Sequence, residues 1–129
     1  MTIRSVNHIG INTADLSVSE AFYRDVLGLE FLGEVDLGGD YVAYFKAGDH
    51  TQIELFRTKD FPEKVPGDAY VGLRHLAFDV DDVDVWAERL KEKKIKITVG
   101  PLDLAALRKR VILFEAPDNV IIELMMSMD

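Results

Sequence analysis

The feature that most constrains this chain is that its two halves repeat each other. An alternating, β-branched run, Thr2–Asn12, carries His8, and an aspartate follows seven positions on at Asp15. A second run, Gly72–Val80, carries His75, and Asp82 again follows seven positions on. The two histidines stand 67 residues apart. Each half closes on a similar tetrapeptide, Ile53-Glu54-Leu55-Phe56 and Ile122-Glu123-Leu124-Met125, 69 residues apart. A two-residue difference in offset is what unequal loops absorb. Repetition of this kind signals two copies of one supersecondary unit, each too small to bury a core alone.

Both copies read as βαβββ. In the first, alternation puts Val6, His8 and Gly10 on one face of a strand and Ile9 and Ile11 on the other. Ser17-Val18-Ser19-Glu20 spells a capping box, Val18, Ala21, Phe22 and Val26 recur at helical spacing, and Gly28 stands where a helix would stop. The runs Leu29–Leu37, Tyr41–Ala47 and Thr51–Arg57 predict three strands, parted by the turn compositions Gly38-Gly39-Asp40 and Gly48-Asp49-His50. Thr58–Ala69 has no periodicity and reads as a linker. In the second copy Asp81 or Asp82 is expected to cap a helix with Val83, Trp86, Ala87 and Leu90 on one side, closed by the basic Lys91–Lys94. Ile95–Val99, Arg110–Glu115 and Val120–Met126 predict three more strands, and Ala116-Pro117-Asp118-Asn119 a turn with Asn119 left-handed. Leu102–Leu107 is apolar for a loop and predicts either a short helix over the site or a core or dimer plug. The expectation is an α+β chain of one domain, with modules at about residues 1–58 and 71–129.

Composition narrows what such a chain does. A hydrophobic share of 48% against 29% charged supports a packed core. A net charge of −8 disfavours nucleic acid and anionic membrane surfaces as partners. No apolar run approaches the roughly 20 residues of a membrane span, and the first residues lack the basic and apolar regions of a signal peptide, so a soluble, cytoplasmic protein is expected. The chain has no cysteine. Thiol nucleophiles and thiolate metal sites are therefore excluded, and any metal must be held by histidine, carboxylate or water.

A single mid-strand histidine is most often a core or surface residue, and a single glutamate between Ile and Leu usually marks the wet face of a half-buried strand. Recurrence changes the weighing. One His and one Glu stand at equivalent strand positions in both halves, and each Glu has apolar neighbours on its own face: Phe56 for Glu54, Ile121 and Met125 for Glu123. A carboxylate in apolar surroundings is costly unless paired or metal-bound. Two imidazoles and two carboxylates suit a borderline divalent ion such as Ni, Co, Zn, Mn or Fe(II), leaving two octahedral positions for water or substrate.

His8-Ile9-Gly10-Ile11, Phe22-Tyr23-Arg24-Asp25-Val26-Leu27-Gly28-Leu29, Ile53-Glu54-Leu55, Gly72-Leu73-Arg74-His75-Leu76-Ala77-Phe78 and Pro117-Asp118 ahead of Ile122-Glu123-Leu124 together carry a resemblance. Over nearly its whole length the chain resembles the vicinal oxygen chelate superfamily, and within it glyoxalase I (lactoylglutathione lyase) and glyoxalase-like proteins. The resemblance implies two pseudo-symmetric βαβββ modules forming an open, cupped sheet, an incomplete barrel, and it implies His8, Glu54, His75 and Glu123 as ligands of one divalent ion. It further implies a homodimer acting on a small molecule, with glutathione or another thiol as cosubstrate, and a proton shifted through a metal-held enediolate of a 2-oxoaldehyde hemithioacetal. Glu123 is then expected to abstract the proton and Glu54 to take part in returning it.

The same superfamily offers other chemistries. Methylmalonyl-CoA-type epimerases share the proton transfer, extradiol dioxygenases typically use only one carboxylate beside two histidines, and bleomycin-resistance-like proteins bind a drug without the full ligand set. Retention of Glu54 favours the lyase or isomerase. Asn12 stands where the family often has an arginine for glutathione's carboxylate, and Arg108, Lys109 and Arg110 are the remaining candidates to meet an anionic substrate.

Overall fold

The computed structural model describes residues 1–129 and divides into two compact units, Met1–Glu63 and Lys64–Asp129. The first unit contains β1 (His8–Thr13), α1 (Leu16–Ala21) running on into a π-helical turn at Phe22–Val26, β2 (Glu30–Asp36), β3 (Tyr41–Lys46) and β4 (Gln52–Arg57). The second contains β5 (Leu76–Asp79), α2 (Val83–Glu92), β6 (Ile97–Leu104), β7 (Lys109–Ala116) and β8 (Val120–Ser127), with short 3-10 turns at Ala105–Leu107 and Pro117–Asn119. Each unit folds one open, four-stranded mixed sheet, ordered β1-β4-β3-β2 in the first and β5-β8-β7-β6 in the second. The first and last strands of each unit are parallel neighbours, and every other pairing is antiparallel. The repeat in sequence is a repeat in topology, and the fold is α+β as expected. No helix is long and apolar enough to cross a membrane.

Strand alternation sorts each sheet into two faces. In the first unit Ile11, Ala43, Phe45, Ile53 and Leu55 are buried, and the Tyr23 ring from the end of the helical segment lies 6.4 Å from that of Phe45. In the second, Ile112, Phe114, Ile122 and Leu124 are buried together with Val83, Ala87 and Leu90 of α2, and the Val83 amide donates to Met126 Sδ at 3.2 Å. The opposite faces carry the polar residues of interest. His8, Gln52, Glu54 and Phe56 remain exposed or half-buried in the first unit.

Several boundaries differ from the sequence reading. β1 begins at His8, so that histidine opens the strand and is not at its middle. Its partner β4 begins only at Gln52, and the last contacts upstream are the Gln52 amide to the Asn7 carbonyl and the Thr51 hydroxyl to the Val6 carbonyl. His75 lies one residue ahead of β5, where Gly72 has a φ of 129° and Arg74 turns to Asp68 at 2.8 Å. The cap of α1 is Asp15, whose side chain accepts from the Val18 amide, and not Ser17; Val18 consequently points to solvent at 53% exposure. Asp82 caps α2 by accepting from the Asp84 and Val85 amides. The aspartate seven residues after each histidine is thus the helix cap in both units.

Leu102–Leu104 belong to β6, and only Ala105–Leu107 form a helical turn, so no separate helix covers this segment. β6 reaches that far because its pairing with β7 shifts between Val99 and Leu102. Gly100 makes the shift possible: its φ is +86°, and a Cβ there would lie 2.4 Å from the Val111 carbonyl oxygen. The last turn adopts left-handed backbone at Asn119, as the sequence predicts, and also at Asp118, with φ of 61° and 66°.

Candidate metal-binding pairs

The same local rule builds the same side-chain pair in each unit. Gly10 of β1 lies opposite Glu54 of β4, and His8, two residues earlier, shares Gly10's face because side chains alternate with period two. Ala77 of β5 lies opposite Glu123 of β8, and His75 is again two residues earlier. His8 Nδ1 stands 3.5 Å from Glu54 Oε2. His75 Nε2 stands 3.2 Å from Glu123 Oε1. Gly10, beside the first pair, leaves room for the Phe56 ring, which a Cβ at that position would approach to 3.3 Å.

The surroundings of the two pairs differ. The first is open, with side-chain exposures of 47% for His8 and 22% for Glu54, and His8 Nδ1 also meets Asn7 Oδ1 at 2.8 Å. The second is enclosed, with 28% for His75 and 6% for Glu123. Glu123 has a second partner, because Lys109 Nζ donates to its Oε2 at 2.9 Å.

Of the candidate substrate contacts, Asn12 lines a cavity of about 700 Å³ in the first unit, together with Gly10, Phe56, Arg57, Lys59 and Phe61. Arg108 pairs with Asp129. Arg110 is gripped by Asp84 and Asp103, which raise its pKa above the usual value, while Asp84's falls for the same reason. Lys109 alone of the three reaches a candidate ligand.

The Lys109–Glu123 pair was not legible from motifs. Its signal is weak, since both residues lie on one face of the β7–β8 ladder only once Leu113 is known to oppose Glu123. A second cluster also escaped the sequence reading. Glu20 of α1 shares a hydrogen bond with Glu34 of β2, and burial together with Glu34 pushes its carboxyl up to about 7; Tyr41 of β3 donates its hydroxyl to Glu34.

No three His, Asp or Glu side chains gather into one cluster suited to a metal. What the structure shows is two His–Glu pairs, one in each unit. Their donors, imidazole nitrogen and carboxylate oxygen, are of the type a borderline divalent ion takes.

Residues 5–124 match the family described as the Glyoxalase/Bleomycin resistance protein/Dioxygenase superfamily. The chain belongs to this superfamily. Among its superfamily relatives, metallothiol transferase FosB of Staphylococcus epidermidis is 37% identical, over 96% of this chain and 82% of that protein. Mitochondrial methylmalonyl-CoA epimerase of Bos taurus is 32% identical, over 92% of this chain and 72% of its own length. A glyoxalase/dioxygenase crystal structure from Nostoc punctiforme superposes with a TM-score of 0.83 at 31% identity, over 98% of this chain and 92% of that one. The superfamily's enzymes thus include transferases and isomerases.

Proposed function

We propose that the protein is a metal-dependent lyase or isomerase of the glyoxalase type, shifting a proton between adjacent carbons of a hemithioacetal made from a small 2-oxoaldehyde and a thiol. The observation that carries this reading is the recurrence, in each unit, of one imidazole at or just ahead of the first strand and one carboxylate on its parallel neighbour, at the same spacing. His8, Glu54, His75 and Glu123 together would hold one divalent ion of the Ni, Co, Zn, Mn or Fe(II) kind, supplied by one chain or by two in a homodimer. Such an ion would draw electron density from the two substrate oxygens and so acidify the carbon-bound hydrogen between them.

The proton then needs a carboxylate to carry it from C1 to C2. Glu123 is held at both oxygens, by His75 and by Lys109, whereas Glu54 has the single looser contact to His8 and more exposure. These contacts favour Glu54 as the carrier and Glu123 as the anchor, the reverse of the division that the family resemblance suggests. Asn12 and the cavity beside it, with Arg57 and Lys59 at its wall, suit an anionic thiol such as glutathione.

A second reading, thiol transfer onto an electrophile, is favoured by the 37% identity to the metallothiol transferase. One assay separates them. Metal-loaded protein is given methylglyoxal and glutathione in D2O, and the proton-transfer reading expects a 2-hydroxyacyl thioester whose yield falls at least about a hundredfold in Glu54→Gln. Thioester formation that is unchanged in that variant, or absent with every thiol and metal tried, overturns it.

A further inference from the structure

Glu123 and Glu54 occupy equivalent positions, yet only Glu123 carries a lysine. Its carboxylate is 6% exposed and its Oε2 accepts from Lys109 Nζ at 2.9 Å. An anion so enclosed needs a countercharge whenever no metal supplies one. The neighbouring cations are committed elsewhere, Arg108 to Asp129 and Arg110 to Asp84 and Asp103. Lys109 sits opposite Ser127 at the start of β7, while Glu123 sits opposite Leu113 further along the same ladder. The side chain therefore runs lengthwise along the face to reach the carboxylate, and it is only 19% exposed. That placement is a fixed positive charge built against one candidate ligand.

We propose that Lys109 is the resident countercharge of Glu123 and competes with the divalent ion for that carboxylate, so that it sets the protein's metal affinity. The inference rests on reading Glu123 as a ligand. The physical basis is Coulombic. An ion held by His75 and Glu123 would share that carboxylate with the Lys109 ammonium, and like charges drawn to one carboxylate in a weakly screened site repel strongly. In the metal-free protein the same ammonium removes the cost of the buried anion. Lys109 is thus a positioning residue that stabilises the empty protein at the expense of the loaded one, and Glu54 has no such partner.

The test uses Zn or Mn alone as the probe, in equilibrium dialysis with elemental analysis, on wild type, Lys109→Met, Lys109→Gln, Lys109→Arg and His75→Ala, with the melting temperature of each metal-free protein. Lys109→Gln keeps a donor for Glu123 and guards against misfolding of the methionine variant. The neutral variants should bind metal about tenfold tighter or more, with a lower melting temperature when metal-free and a larger rise on loading. Lys109→Arg should stay near wild type in both. Metal uptake by wild type that is lost in His75→Ala, with the neutral variants binding no tighter, overturns the competition and leaves the ligand reading standing. Uptake by a neutral variant alone supports both. If no protein takes up metal, the ligand reading falls and the competition falls with it.

Discussion

The two units share strand order, the parallel first-to-last pairing and a His–Glu pair in the same register, yet they treat that pair oppositely. In the first, Glu54 is 22% exposed and has only a 3.5 Å contact to His8; in the second, Glu123 is 6% exposed and is held by His75 and Lys109. Backbone register copies with the repeat because it needs only alternation and equal spacing. Electrostatic surroundings do not copy, because they depend on residues from other strands that the repeat leaves free to differ. The lesson is that equivalent positions need not carry equivalent roles.

The sharpest way to break this comparison is to neutralise each glutamate in turn. Glu123→Gln leaves the Lys109 ammonium without its partner in an enclosed site and should cost about 3 kcal/mol. Glu54→Gln removes a looser, more exposed contact and should cost under about 1 kcal/mol. Urea unfolding of the metal-free proteins measures both, and equal losses would show that the asymmetry of burial has no energetic content.

How far the sequence reaches follows from the same contrast. The βαβββ repeat, the helix-capping aspartates and the registration of His with Glu are local or periodic facts, and Asp15 and Asp82 stand at the same spacing from their histidines. Lys109 meets Glu123 through a ladder whose register no short pattern fixes. The sequence predicts β6 only as far as Val99 for a related reason: a glycine-proline pair looks like an end, yet Gly100 allows a shift of pairing that carries the strand on to Leu104. Ser17-Val18-Ser19-Glu20 satisfies the capping-box pattern and so predicts a cap at Ser17, but the helix starts two residues earlier, where Asp15 reaches the Val18 amide.

Glycines sharpen the comparison at the next level of effect. Gly100 in the second unit has positive φ and no room, with the Val111 carbonyl oxygen 2.4 Å from a built Cβ. Gly38 in the first has positive φ, at 80°, but nothing within 4 Å. Alanine should therefore cost about 2–3 kcal/mol at Gly100, from clash and backbone strain together, against about 1 kcal/mol at Gly38 from strain alone. Chemical denaturation of the two variants decides it, and a Gly38→Ala loss as large as that of Gly100→Ala would contradict the argument from space.

The helix caps should differ by less. Asp82 accepts from two amides and Asp15 from one. Replacement by alanine should cost about 1 kcal/mol at each, with Asp82 the larger by a few tenths. Equal or reversed losses would mean that the second bond at Asp82 contributes nothing.

The smallest effect is a pH dependence that belongs to the first unit and has no counterpart found in the second. Glu20 is raised from the ordinary 4.5 to about 7, chiefly by burial and then by its hydrogen bond to Glu34. Glu34 is lowered, because the Tyr41 hydroxyl and Glu20 both donate to its carboxylate. Between the ordinary carboxylate range and about pH 7 the pair therefore holds one proton, on Glu20. A folded-state acid with a raised pKa binds its proton more tightly than the unfolded chain does. Its contribution to stability is complete below about 4.5 and is lost as pH rises through about 7. Glu34 acts in the opposite sense, its contribution being lost only as pH falls below the usual carboxylate range. Between these limits the melting temperature should decline gently as pH rises, by little because the groups are largely open to solvent screening. Glu20→Gln keeps the donor and removes the titration, so its melting temperature should be flatter from pH 5 to 8 and should exceed wild type at pH 8. A slope unchanged by Glu20→Gln would place the dependence elsewhere, and amide exchange of α1 and β2 at the two pH values would show whether this cluster loosens at all.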